Sequence, residues 1–228
     1  MERHFEKELN NLKATLEKMT RLAQESLAYS TRALLEDQSA LAERTFANER
    51  EINNLEIVID HAVADCFALF QPVAVDLRFL LAILKINNDL ERIGDLAVNI
   101  AERATYLASR EPVEIPFDFV GMAAKTKLML KRSLDALVNM DSREAQEVCA
   151  MDDDVDAMNR KMYEQVQDGI RQRPDQMESL IHCLSTSRHL ERIADHATNI
   201  AEDVIYMVAG EIVRHHAEDY RPPQSKPA

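Results

Sequence analysis

The chain has no tryptophan, only four glycines in 228 residues, and three cysteines without paired spacing. Each shortage excludes something. So little glycine leaves few sites for the tight turns of a β-rich fold, while abundant Ala, Leu, Glu and Met favour helix. The odd set Cys66, Cys149 and Cys183 cannot form a closed disulfide framework. Each lies among apolar helical residues, and all three read as reduced core residues of an intracellular protein. No run of eighteen apolar residues is present, so no segment is read as spanning a membrane. The opening MERHFEKELNNL is charged and lacks the apolar region of a signal peptide, which predicts a cytoplasmic chain. Basic residues are short as well, 27 against 40 acidic, for a formal charge of −13. That balance argues against nucleic acid as a partner and suits cations or basic protein surfaces. There is no glycine-rich phosphate loop and no Gly-x-Ser-x-Gly elbow. None of the seven histidines follows a glutamate by three residues, so the Glu-x-x-His pairing of oxygen-activating di-iron bundles is missing. No catalytic nucleophile stands out, and the chain is expected not to be an enzyme.

What is present is helical periodicity. Phe5, Leu9, Leu12, Leu16, Met19, Ala23 and Leu27 form one stripe, predicting a helix to about residue 36. Ile52, Leu55, Ile59, Ala62, Cys66 and Leu69 form a second, stopped at Gln71-Pro72 because proline cannot continue the ladder. A third helix is predicted from about Val73 to Leu107. SREPVEIPFDF at 109–119 is a non-helical connector. Stripes resume at Leu130, Leu134 and Leu137, then at Val148, Met151, Val155, Met158 and Met162. Arg173-Pro174 breaks them, and a last helix is predicted to about His216. The expectation is an all-α protein of six helices in two tandem, pseudo-repeated, up-and-down three-helix bundles. The first would occupy 1–110 and the second 120–217, with a linker at 111–119 and a proline-rich, disordered tail at 218–228.

One sentence occurs twice. Residues 90–102 read LERIGDLAVNIAE and residues 190–202 read LERIADHATNIAE, identical at ten of thirteen positions. Such a repeat marks one structural unit used twice. It keeps polar residues as faithfully as apolar ones. On a helix, with Glu91 at zero, Asp95 lies at about 40°, Asn99 at about 80° and Glu102 at about 20°. Leu90, Ile93, Ala97 and Ile100 take the far side. The second copy places Glu191, Asp195, Asn199 and Glu202 in the same way. A solvated acidic face is the bland explanation. Against it, like charges at i, i+4 cost a few tenths of a kcal/mol, and a column kept twice calls for a compensating cation or basic partner. Oxygen ligands suit magnesium, calcium, manganese or iron, and zinc is not separated from them. One column cannot close a coordination sphere, so water or groups from the second and fifth helices must help; Glu49 and Asp152 begin the corresponding stretches. His189 and His196 read as helix-surface residues first and ligands second.

These residues resemble the PhoU family over nearly the whole chain, through QPVAVDLR at 71–78, the two motif copies, and IYMVAGEIVRH at 205–215. The family pattern of acid, acid, then acid or amide at four-residue steps matches Glu91, Asp95 and Asn99, and again Glu191, Asp195 and Asn199. The resemblance implies two three-helix bundles, self-association as a homodimer or higher homo-oligomer, and metal ions on the motif helices. It implies a cytoplasmic negative regulator of the phosphate-starvation response. Such a regulator connects the phosphate ABC transporter, through its ATPase subunit, to a sensor histidine kinase, restrains uptake, and meets the membrane only through these partners. Two departures are evident. The third motif position is amide in both copies, which removes a negative charge from each site, and QPVAVDLR has no second copy, since 172–179 read QRPDQMES. The rival readings are a metal-dependent hydrolase and a metal-storage or scaffold protein using the same columns.

Overall fold

The structure is a computed structural model. It describes residues 2–36, 38–111, 118–211 and 213. Helix α1 spans Glu2–Leu35, α2 Ser39–Phe70, α3 Ala74–Ala108, α4 Phe119–Asn139, α5 Ser142–Cys149, α6 Asp152–Gln172 and α7 Met177–Ala209, with a 3-10 turn at Pro174–Gln176 before α7. No strand occurs among the described residues. The fold is the expected repeat of three helical rods, with the fifth rod divided into α5 and α6.

The stripes bury as their spacing requires. Leu12, Leu16, Met19, Ala23 and Leu27 of α1 are sealed, as are Ile52, Ile59 and Val63 of α2 and Leu90, Ile93, Ala97 and Ile100 of α3. Helix ends follow local chemistry. The Asp118 carboxylate accepts from the Gly121 amide at the start of α4, and Asp141 accepts from the amides of Arg143 and Glu144 at the start of α5. The division of the fifth rod comes at Ala150 and Met151, where the Met151 amide reaches Val148 instead of continuing the α ladder. It gives α6 its own N-terminus, opened by Asp152, Asp153 and Asp154, as the helix dipole favours.

Two expected boundaries change or fall outside view. The last helix stops at Ala209, not near His216, because Gly210 turns left-handed at φ 75° and caps it. Most of the expected linker, and all of the expected tail at 218–228, lie outside the described residues. The QPVAVDLR corner is sharp: Gln71 and Ala74 both take positive φ, near 50°, and bracket Pro72 and Val73.

Helices α1, α2 and α3 pack on one another, and α7 packs on α4, α5 and α6. The two sets meet through α3 against α7 and α1 against α4. One main hydrophobic cluster therefore runs through both, from Leu12 to Val213. The motif helices are back to back at the centre of the molecule, and their polar sides turn outward to the neighbouring helices.

Candidate functional site

The repeated motif sits on α3 and α7, each laid against an antiparallel partner, α2 in the first half and α6 in the second. In the second half, carboxylate oxygens of Asp156, Glu191 and Asp195 all lie within 4.8 Å of one another. Asp152 stands one turn before Asp156 and adds to their field. The charges reinforce one another. Asp195 is pushed up to about 6 by exclusion of solvent, then by Glu191, Asp152 and Asp156. Burial, followed by Asp156, raises Glu191, and burial, again followed by Asp156, raises Asp152. One oxygen of Asp152 is buried and accepts no hydrogen bond from the described residues. Among those residues this is the one group of three such ligands. Two adjoining helices supply it, which is how a column too sparse on one helix gains ligands.

The first half is built alike but closed differently. Counting from Glu49 and Asp152, Asn53 stands where the second half has Asp156. Asn53 Nδ2 donates to Glu49 Oε1 at 2.5 Å. Arg92 places Nε 3.4 Å from Glu91 Oε2 and Nη1 3.4 Å from Asp95 Oδ2. Glu91 is still raised, mainly by burial and next by Asp95, with Arg92 opposing and Glu56 and Glu49 adding. Glu49 and Asp95 thus both act on Glu91, with an arginine already drawing on the two motif acids and an amide on Glu49.

Of the other expected ligands, Asn199 turns away from the cluster. Its amide points to Asp89 Oδ1 of α3 at 3.4 Å, across the seam between the motif helices. The angular drift of about 80° from the first motif acid carries the third position to that side. Asn99 holds the equivalent place in the first copy and is half-buried. Glu102 lines a separate hollow with Ala40, Glu43, Phe46 and Thr105. Glu202 acts on the thiol of Cys149. Of the expected residues, Glu191 and Asp195 thus converge with Asp156, while Asp152 acts on them in the second half and Glu49 and Asp95 act on Glu91 in the first. Asp156 is the residue that sequence reasoning missed; the spacing Asp152-x-x-x-Asp156, which repeats the motif's own step, carried the signal.

His189 and His196 are seam residues rather than surface ones. His196 Nδ1 lies 2.7 Å from Asp89 Oδ1, with both side chains largely buried. His189 is held near 4 by burial and by Arg103, Arg192 and Arg188. Ser185 Oγ is 3.3 Å from His189 Nε2, but His189 Nδ1 is buried without a hydrogen-bond partner among the described residues, so no acid orients the pair. The thiols are free, and burial pushes Cys149 up to about 12 and Cys183 to about 11. None is an activated nucleophile. A groove of about 430 Å³ between α1, α3 and α4, lined by Leu9, Phe79, Leu137 and Met140 among others, holds none of the motif carboxylates.

The chain matches a family model described as the PhoU domain twice, over residues 16–104 and 119–204. A phosphate-specific transport system accessory protein PhoU homolog from Aquifex aeolicus is 37% identical, over 92% of this chain and 95% of its own length. One from Clostridium acetobutylicum is 33% identical, over 92% and 96%. Among solved structures, PhoU from Pseudomonas aeruginosa aligns with a TM-score of 0.87 at 32% identity, over 91% of this chain and 100% of that one. The phosphate transport system regulatory protein PhoU from Streptococcus pneumoniae gives 0.80 at 27% identity, over 92% and 99%.

Proposed function

The chain belongs to the PhoU family, and on that premise we propose that it is an accessory protein of a phosphate-specific transport system that represses the phosphate-starvation response. In this reading it works in the cytoplasm as a homodimer or higher homo-oligomer. It contacts the ATPase subunit of the phosphate ABC transporter and the sensor histidine kinase. When phosphate is plentiful it holds the kinase from activating its response regulator, and it restrains uptake. The names of the relatives support the link to phosphate transport. The charge of −13 supports basic patches on the partners.

The observation that carries the metal part is the convergence of Asp156, Glu191 and Asp195 within 4.8 Å. All three offer oxygen, as hard cations prefer, and the unpartnered oxygen of Asp152 gives a fourth acceptor beside them. The residues fit magnesium, manganese, calcium or iron better than zinc, which favours nitrogen and sulfur. A bound cation supplies charge neutralisation and open coordination positions. The chain's own residues orient the carboxylates from two helices and keep the third motif amide out of the cluster. In the first half Arg92 stands 3.4 Å from both motif acids, whereas Arg188 and Arg192 act on Glu191 without an ion pair to it among the described residues, so the second half is the stronger site.

The adaptor reading is favoured over a hydrolase by the missing acid behind Ser185 and His189 and by the raised thiols. Deleting the gene should raise output from a phosphate-starvation reporter in rich phosphate, and the parent chain should restore repression. Asp156→Asn with Asp195→Asn should fold, lose cation-induced stabilisation and lift repression. Binding of the parent to purified kinase or ATPase subunit should weaken as salt rises, since exposed charges are screened over a Debye length of about 8 Å. Full repression by the folded double variant would move regulation to another surface. Phosphatase turnover by the metal-loaded parent would favour the hydrolase.

A further inference from the structure

The seam between α3 and α7 has two ends, and the internal repeat makes them comparable. Across it Arg78 lies beside Gly210, Lys85 beside Asp203, Asp89 beside Asn199, Tyr106 beside His182 and Arg110 beside Glu178. The helices are therefore antiparallel. Moving each member of a pair by one hundred residues, up on α3 and down on α7, gives the mate at the other end. The rule holds for Arg78 and Gly210, whose mates Glu178 and Arg110 are in contact at 3.5 Å. By the same rule Lys85 and Asp203 become Ser185 and Arg103, and Asp89 and Asn199 become His189 and Asn99.

One end is internally neutralised. Asp203, whose side chain is 2% exposed, receives Lys85 Nζ at 3.2 Å. Asp89 receives His196 at 2.7 Å and the Asn199 amide at 3.4 Å. The other end has lost both carboxylates. Arg103 stands in place of Asp203, and His189 in place of Asp89. Arg103 is half-buried and makes no ion pair with a described residue. Glu178, further along the same end, is paired with Arg110 at 3.5 Å. Arg188 and Arg192 act on Glu191 as well as on His189, whereas Arg103 acts on His189 and His182. Nδ1 of His189 and Nδ1 of His182 are both buried without a hydrogen-bond partner among the described residues.

We infer that the Arg103–Ser185–His189 end of this seam binds a small oxyanion of the phosphate class, which supplies from solution the charge that Asp89 and Asp203 supply from the chain at the opposite end. The donors suit it. Arg103 offers a planar fork that matches two oxygens of a phosphate, and Ser185 offers a hydroxyl. The register brings the Asn99 amide opposite His189, as Asn199 is opposite Asp89. The inference is independent of the metal cluster, whose ligands face α6.

The test uses the full chain stripped of metal with chelator, so that phosphate cannot bind through a cation. Inorganic phosphate is compared with chloride at equal ionic strength, by thermal unfolding and calorimetric titration. Phosphate should raise the unfolding midpoint beyond chloride. Arg103→Gln should weaken phosphate binding about tenfold or more, the loss expected for one charged hydrogen-bond donor. Ser185→Asp restores a carboxylate opposite Arg103, mirroring Lys85 with Asp203. It should raise the midpoint without phosphate and abolish the further rise with it. Adenosine monophosphate forms a second arm: binding tighter than free phosphate assigns the oxyanion to a phosphate ester, and weaker binding assigns it to the free ion. No phosphate effect on the parent, or equal phosphate affinity in parent and Arg103→Gln, would overturn the site. Should Arg103→Gln fail to fold, an undiminished phosphate response in Ser185→Asp would overturn it equally.

Discussion

Asp195 is where proton and cation compete most directly. Its carboxyl is pushed up to about 6, whereas an Asp in the unfolded chain titrates near ~4. Between those values the folded state holds more protons than the unfolded state, so stability falls as pH rises through that window and stays lowered above it. Glu191 and Asp152 are raised too and add in the same direction. In chelator, the urea midpoint should therefore drop between about pH 4 and pH 7. Asp195→Asn should flatten that drop, and saturating Mn²⁺ should restore the midpoint of the parent at pH 7 but not of the variant. A variant that drops as steeply as the parent would show that the cluster is not strained by its own charge. The motif acids were legible as a column because i, i+4 geometry belongs to a single helix. Asp156 was not, because its convergence with Glu191 and Asp195 depends on how α6 lies against α7, which no single stripe encodes.

At the scale of elements, the apolar stripes located α1, α2 and α4, since each must bury one face and the spacing says which, and the repeated motif marked α3 and α7. Breaks at Pro72 and Pro174 were legible for the same local reason: proline has no amide to donate. The end of α7 was not, because apolar residues continue through Ile212 and Val213 while backbone conformation decides at Gly210. Gly210→Ala should cost about 1–2 kcal/mol, the penalty of a β-carbon in left-handed backbone. The space there is adequate, since a β-carbon at this position would stand 3.7 Å from its nearest neighbour, Arg78 Cζ, so the loss is conformational rather than steric. Chemical denaturation with an unchanged m-value would measure it, and a neutral result would mean that the helix simply frays past residue 209. The division at Ala150 and Met151 also escaped the stripe, because Val148, Met151 and Val155 keep helical spacing across it.

At the scale of the molecule, two repeats share one core. Main-cluster residues run from Leu12 through Ile93 and Ile193 to Val213, and α3 packs on α7 as well as on its own bundle. Thermal unfolding of the chain should then be one transition, with calorimetric and van't Hoff enthalpies equal. A chain of residues 1–110 alone would expose the α3 seam and should aggregate or bind a hydrophobic dye. Two resolved transitions, or a well-folded isolated half, would show that the seam couples the repeats only weakly. The antiparallel seam also has a historical reading. Two identical copies joined by such a contact would obey an exact two-fold, and any substitution would then appear at both ends at once. A covalent link removes that restriction. Each end became free to drift by itself, so that one could keep its acids sealed with Lys85 and His196 while the other exchanged them for Arg103 and His189. Fusion thereby permits this chain something unavailable to a symmetric pair: two chemically different addresses on one axis.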